Sequence, residues 1–181
     1  MTALLALCRT IETVNSVIGR GVAWLALFMM LVQFALVLLR YVFGTGSLFM
    51  QESVVYAHGI LFMMAAAWTL AEDRHVRVDI FYGRATPRRR AAIDLFGALF
   101  FVLPMCALVA WVGYPYVARS WAVLEGSRET SGIPAVFLLK TVILLFAATV
   151  ALQGIAMAMR SAAILAGVYV PEDTRAHEPA G

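Results

Sequence analysis

The sequence predicts an all-α membrane protein with four transmembrane helices. Three observations carry that prediction. Of the 181 residues, 62% are hydrophobic and only 14% are charged, where a soluble domain has about 25% charged residues. The mean hydropathy is +0.85. Finally, the chain falls into four charge-free runs, each close to the roughly 20 apolar residues that cross a hydrocarbon core. A soluble fold would have too little polar surface to cover so much apolar area. The runs are continuously apolar rather than alternating, so they predict helices and not barrel strands.

Residues 1–20 are too polar to span. Leu4, Leu7, Ile11, Val14 and Ile18 recur at spacings of three and four. Arg9, Thr10, Glu12, Thr13, Asn15, Ser16 and Arg20 fill the other face. This pattern predicts an amphipathic helix lying in the membrane interface. The alternative is a simple extension of the first span. The start MTALLALC lacks a basic lead and has the bulky Leu7 before Cys8, so the N-terminus is expected to be retained.

The transmembrane domain covers 21–170, with spans expected at about 21–39, 53–71, 95–118 and 135–160. Arg20 and Arg40 bracket the first charge-free run, and Glu52 and Glu72 the second. Asp94 and Arg119 bracket the third, and Lys140 and Arg160 the core of the fourth. Gly44, Thr45 and Gly46 mark a short turn between the first two spans. Gly126 and Gly132 break the loop before the last span, and Pro134 suits that helix's first turn. The tail, 171–181, is polar and is expected to be disordered.

Charge fixes the expected orientation. The N-terminus, the middle loop and the C-terminus share one side and hold ten of the fourteen Lys and Arg residues. Six of these are arginines in RHVRVDIFYGRATPRRR, residues 74–90. By the positive-inside rule both termini are cytoplasmic. The segment has few stacking residues beyond Phe81 and Tyr82 and carries Asp79, which argues against nucleic acid as a partner. Membrane lipids are the better match, at roughly 1 kcal/mol for each basic residue near an anionic surface.

Polar residues near the spans are the candidate sites. Gln33 and Gln153 are placed to hydrogen-bond between helices. Arg40, Glu52 and Lys140 stand at the outer ends of spans. Arg40 and Glu52 either pair across their hairpin, or serve as a snorkelling arginine and a separate helix cap. His58 is a lone histidine inside the second span; a hydrogen bond to a neighbour, or a place near a headgroup, is the expected arrangement. Two cysteines and three scattered histidines offer no disulfide framework, metal set or haem ligation. No span carries an acid–base ladder, and no nucleophile–base pair or phosphate loop appears. The expectation is a non-enzyme without cofactors that works as a partner subunit. An independent small four-helix transporter or channel is the alternative; it would need a charged residue buried in mid-span.

Three stretches carry a family resemblance. They are LLRYVFGTGSLFMQES (38–53), EDRHVRVDIFYGRATPRRRAAID (72–94) and ETSGIPAVFLLK (129–140). With four spans in this order, the chain resembles the small, DctQ-like membrane subunit of tripartite ATP-independent periplasmic (TRAP) transporters. Phe49-Met50-Gln51-Glu52 departs from the family pattern, which often has a tryptophan and two acids there. The resemblance implies a multi-pass protein of the bacterial inner membrane. Its partners would be a large TRAP membrane subunit and a periplasmic substrate-binding protein, in a sodium-coupled importer of an organic acid. It also implies that His75, Arg77 and Asp79 shape the middle loop, and that Arg40, Glu52 and the 125–134 loop face the binding protein. Ala65, Ala66, Ala67, Ala147, Ala148 and Ala151 are expected to admit close packing in that assembly.

Overall fold

In a computed structural model of the chain, residues 2–72 and 85–168 are described. They form four long helices: α1 (Thr2–Val42), α2 (Leu48–Ala71), α3 (Pro87–Ala122) and α4 (Val136–Leu165). Each is long and apolar enough to cross a membrane. There is no strand among the described residues. His75, Arg77 and Asp79, with most of the middle loop and the 171–181 tail, lie outside them.

Local chemistry sets the helix ends. After α1, the Leu39 carbonyl accepts from the N–H groups of Phe43 and Thr45, and Gly44 takes φ +66°, a left-handed conformation that glycine adopts without strain. Ser47 then caps α2, its hydroxyl accepting from the Met50 N–H. Thr86 caps α3 in the same way, with Pro87 in the first turn. Consequently α3 begins eight residues before the expected span, and Arg88, Arg89 and Arg90 belong to its first turns rather than to a loop.

Inside α3 the backbone widens into a π-helical turn over Ala98–Val102, where the Leu103 N–H donates to the Ala98 carbonyl. Pro104 follows directly. Its ring cannot donate and would crowd the carbonyl four residues back, so one wider turn accommodates it.

The first element differs from the expectation. There is no break near Arg20, and 1–20 is not a separate helix. At 41 residues α1 is about 60 Å long, twice the roughly 30 Å of a hydrocarbon core. Cys8, Asn15 and Gly19 are buried against the bundle, while Leu7, Val14 and Val17 are exposed. Gly19 lies so close to Trp68 that an added Cβ would come within 2.5 Å of that side chain. Of the expected polar face, Asn15 is buried and Glu12 and Ser16 are half-buried, while Arg9, Thr10, Thr13 and Arg20 are exposed.

The core lies around α4, which buries nine residues, most of them small. Ala67, Cys106 and Val150 meet at its centre, with Ala66 and Ala151 packed beside them. Gly154 lets α3 come close, since an added Cβ would stand 3.0 Å from Val102 Cγ1. This corrects one expectation. Ala66, Ala67, Ala147 and Ala151 give close approach within this chain, whereas Ala148 is exposed.

Candidate functional site

Two polar clusters pin the bundle, one at each end. At the hairpin end, where α1 turns into α2 and α3 into α4, the loop 123–135 folds back onto α2. The Glu52 carboxylate reaches it with both oxygens. One accepts from the Ser127 hydroxyl at 2.5 Å and the other from the Ile133 N–H at 2.6 Å. Gly132 sits against them; a Cβ there would be 2.7 Å from Glu52 Oε1. Within the loop, Ser127 N–H donates to the Ile133 carbonyl, which closes it into a compact turn.

A second tie binds the loop to α4. Lys140 Nζ donates to the Glu125 carboxylate and stands 4.1 Å from the centre of the Tyr116 ring, so it links loop, α3 and α4 through an ion pair and a cation–π contact. The hydrogen bond from Lys140 holds the Glu125 carboxyl below its ordinary range. Beside it, Trp121 Nε1 donates to Thr141 Oγ1 at 2.8 Å, and its ring meets Phe137 edge-on.

At the opposite end α1 is fastened to α4. Asn15 Nδ2 donates to Gln153 Oε1 at 2.9 Å, both side chains being fully buried. Arg160 Nη2 donates to the Glu12 carboxylate at 2.7 Å. Cys8 faces the Ala156 carbonyl. Residues 8 and 15 are about 10 Å apart along α1, yet their partners 156 and 153 are only one turn apart on α4.

Several candidate residues are thus distributed differently from the sequence expectation. Glu52 does not pair with Arg40; its two oxygens are taken by the loop. Arg40 is exposed with no polar partner among the described residues. Gln33 is also exposed and bonds to no neighbouring helix. Gln153 is bonded to Asn15 and Lys140 to Glu125. His58 is exposed on α2 and stacks on Phe62 at 6.3 Å. Sequence reasoning missed Ser127, Glu125, Tyr116, Asn15, Glu12 and Arg160 as members of these clusters. Glu12 and Asn15 carried a usable signal: with Cys8 and Gly19 they form one polar, small-residue stripe at helical spacing.

Chemically the clusters are fasteners. The buried polar side chains among the described residues are Asn15, Ser120, Gln153 and Ser161, none of them ionisable at ordinary pH. No group of three His, Cys, Asp or Glu among those residues could hold a metal ion.

Comparison with known proteins gives one match. The family model described as "Tripartite ATP-independent periplasmic transporters, DctQ component" matches residues 29–164. No curated protein and no solved structure matches the chain.

Proposed function

Because this chain belongs to the DctQ component family of tripartite ATP-independent periplasmic transporters, we propose that it is the stationary scaffold partner of the large membrane subunit in a sodium-coupled importer of an organic acid. The family works within a system of a large membrane subunit and a binding protein; it is a transporter-component family and not an enzyme family. Four membrane-crossing helices suit a multi-pass protein of the inner membrane.

The observation that carries the scaffold reading is the fastening at both ends. Glu52 and Lys140 hold the 123–135 loop at the hairpin end, and Asn15–Gln153 and Glu12–Arg160 hold α1 at the other. A bundle tied in this way resists shear between its helices. A carrier domain that slides against its surroundings needs such a fixed neighbour. The long first helix, fastened to α4 beyond its spanning part, widens the body, and a wider body resists tilting.

In this reading the hairpin end is periplasmic and both termini are cytoplasmic, as the arginine distribution favours. The clamped 123–135 loop is then a preformed platform for the binding protein. The arginines of 74–90 anchor the cytoplasmic side at the headgroups, and His75, Arg77 and Asp79 give that loop its shape. Transport chemistry and substrate choice belong to the other two proteins.

Tagged chain co-expressed with its cognate large membrane subunit tests this. Equimolar co-purification in mild detergent is expected. A chain that purifies as a stable homo-oligomer, leaving the large subunit behind, would overturn the proposal.

A further inference from the structure

The α1–α2 hairpin presents a face on which Gln33, Arg40 and Gln51 have no side-chain partner among the described residues. Between the two helices lies a cleft of about 640 Å³ lined by Gln33, Val37, Arg40, Tyr41, Ser47 and Gln51. Along α2 the same face continues through Gln51, Val55, His58 and Phe62, spaced four, three and four residues apart, and all four are exposed. Gln33, Arg40 and Gln51 make no side-chain hydrogen bond or ion pair among the described residues, and His58 has only its stacking on Phe62.

Depth makes this informative. Arg40 and Gln51 stand at the hairpin end, which the four-span reading puts at the membrane surface. Gln33 is seven residues from Arg40 and His58 seven from Gln51, so each lies about 10 Å deeper along its helix. There a lipid tail offers an amide or an imidazole nothing to bond to, and an unsatisfied group is costly. Polar residues facing outward at that depth mark a surface that another protein covers.

A second copy of this chain is a poor occupant. Copies inserted in one orientation pair about an axis along the membrane normal, which sets each residue opposite residues of the same depth. Arg40 would meet residues of its own level, Arg40, Tyr41, Ser47 or Gln51. The face has no acid to offer, because the neighbouring carboxylate, Glu52, is engaged by Ser127 and Ile133.

We infer that the face bearing Gln33, Arg40, Gln51 and His58 is the surface on which the large membrane subunit docks. That subunit would present a carboxylate or a row of carbonyls at the level of Arg40, and hydrogen-bonding side chains about 10 Å deeper, opposite Gln33 and His58. This rests on the scaffold reading above and adds the face and the chemistry of its partner.

Site-specific photo-crosslinking in the co-expressed complex tests it. A benzophenone amino acid is placed at Val37 or Val55, exposed positions within the face, and for comparison at Leu108 or Val112, exposed on α3. Adducts to the large subunit are expected from 37 and 55. If the two proteins co-purify but 37 and 55 give no adduct, or an adduct of two copies of this chain, the face is wrongly assigned while the scaffold reading stands. If they do not co-purify, both fail. The Gln33→Leu/His58→Leu variant adds a test of sign. Removing both polar groups should weaken co-purification by about an order of magnitude, the equivalent of two hydrogen bonds between membrane helices. A lipid-facing surface would accept the leucines with no loss, and that result would overturn the inference.

Discussion

The Glu52 carboxylate on α2 accepts the backbone N–H of Ile133 at 2.6 Å, across 81 residues of sequence. Together with Ser127 it turns the 123–135 loop from a flexible connection into a fixed surface. Glu52→Ala should free that loop. Backbone hydrogen exchange at Ser127, Gly132 and Ile133 is expected to accelerate about tenfold or more, with the helices unaffected. Unchanged protection would show that the loop is held by its own internal bonds.

The Asn15–Gln153 bond is the buried tie between the first and last helices. Asn15→Leu strands the Gln153 amide in an apolar surrounding. The expected loss of stability is about 1–2 kcal/mol, the range for interhelical hydrogen bonds in membranes. The Asn15→Leu/Gln153→Leu pair should cost less than the sum of the two single changes, because neither amide is then left alone. Thermal unfolding in detergent across the four proteins measures the coupling.

Glu125 gives a pH dependence of known sign. Lys140 depresses the folded-state value of its carboxyl below the ordinary 4.5. The ion pair therefore contributes stability above that ordinary value, and the contribution is lost as pH falls through the depressed one. The difference in melting temperature between the unaltered chain and Glu125→Gln should be constant from neutral pH to about 5 and vanish in stronger acid. A difference that disappears near neutrality would contradict this origin.

Gly154 tests the packing of α3 on α4. A Cβ would already stand 3.0 Å from Val102, so Gly154→Leu has no room. Overpacking of this kind costs about 1–3 kcal/mol, and the melting temperature should fall accordingly. A tolerated leucine would mean that the π-helical turn in α3 yields more readily than its packing implies.

Orientation is open to direct labelling. In a chain with Cys8 and Cys106 changed to serine, a cysteine at Ser131 should react with a membrane-impermeant maleimide added to intact spheroplasts. One at Arg88, exposed at the opposite end of the bundle, should react only after lysis. The reverse pattern would invert the topology.

Much of this fold is written plainly in the sequence. Runs bounded by Arg20, Arg40, Glu52, Glu72, Asp94 and Arg119 announce helices because a bilayer allows little else. The Gly44 turn and the cap residues Ser47 and Thr86 fix the boundaries locally. What the sequence hid is pairing. Glu52 and Arg40 are neighbours across one hairpin, yet Glu52 is satisfied by a backbone N–H far along the chain, and a backbone donor has no side-chain signature. The alanines of α2 and α4 signal close packing without naming the partner, and most of them pack within this chain. In α1, amphipathic periodicity gives two faces but does not say which residues between them meet the bundle. The contact with the bundle runs along Cys8, Glu12, Asn15 and Gly19, a stripe that the contrast of polar and apolar residues alone did not mark.

The central claim is that this chain supports transport performed by its partner. The most direct measurement is uptake into proteoliposomes carrying the large membrane subunit, with binding protein and an inward sodium gradient, in the presence and absence of this chain. The account predicts uptake only when the chain is present, and none from the chain alone. Full uptake without it, or uptake by the chain alone, would contradict the account.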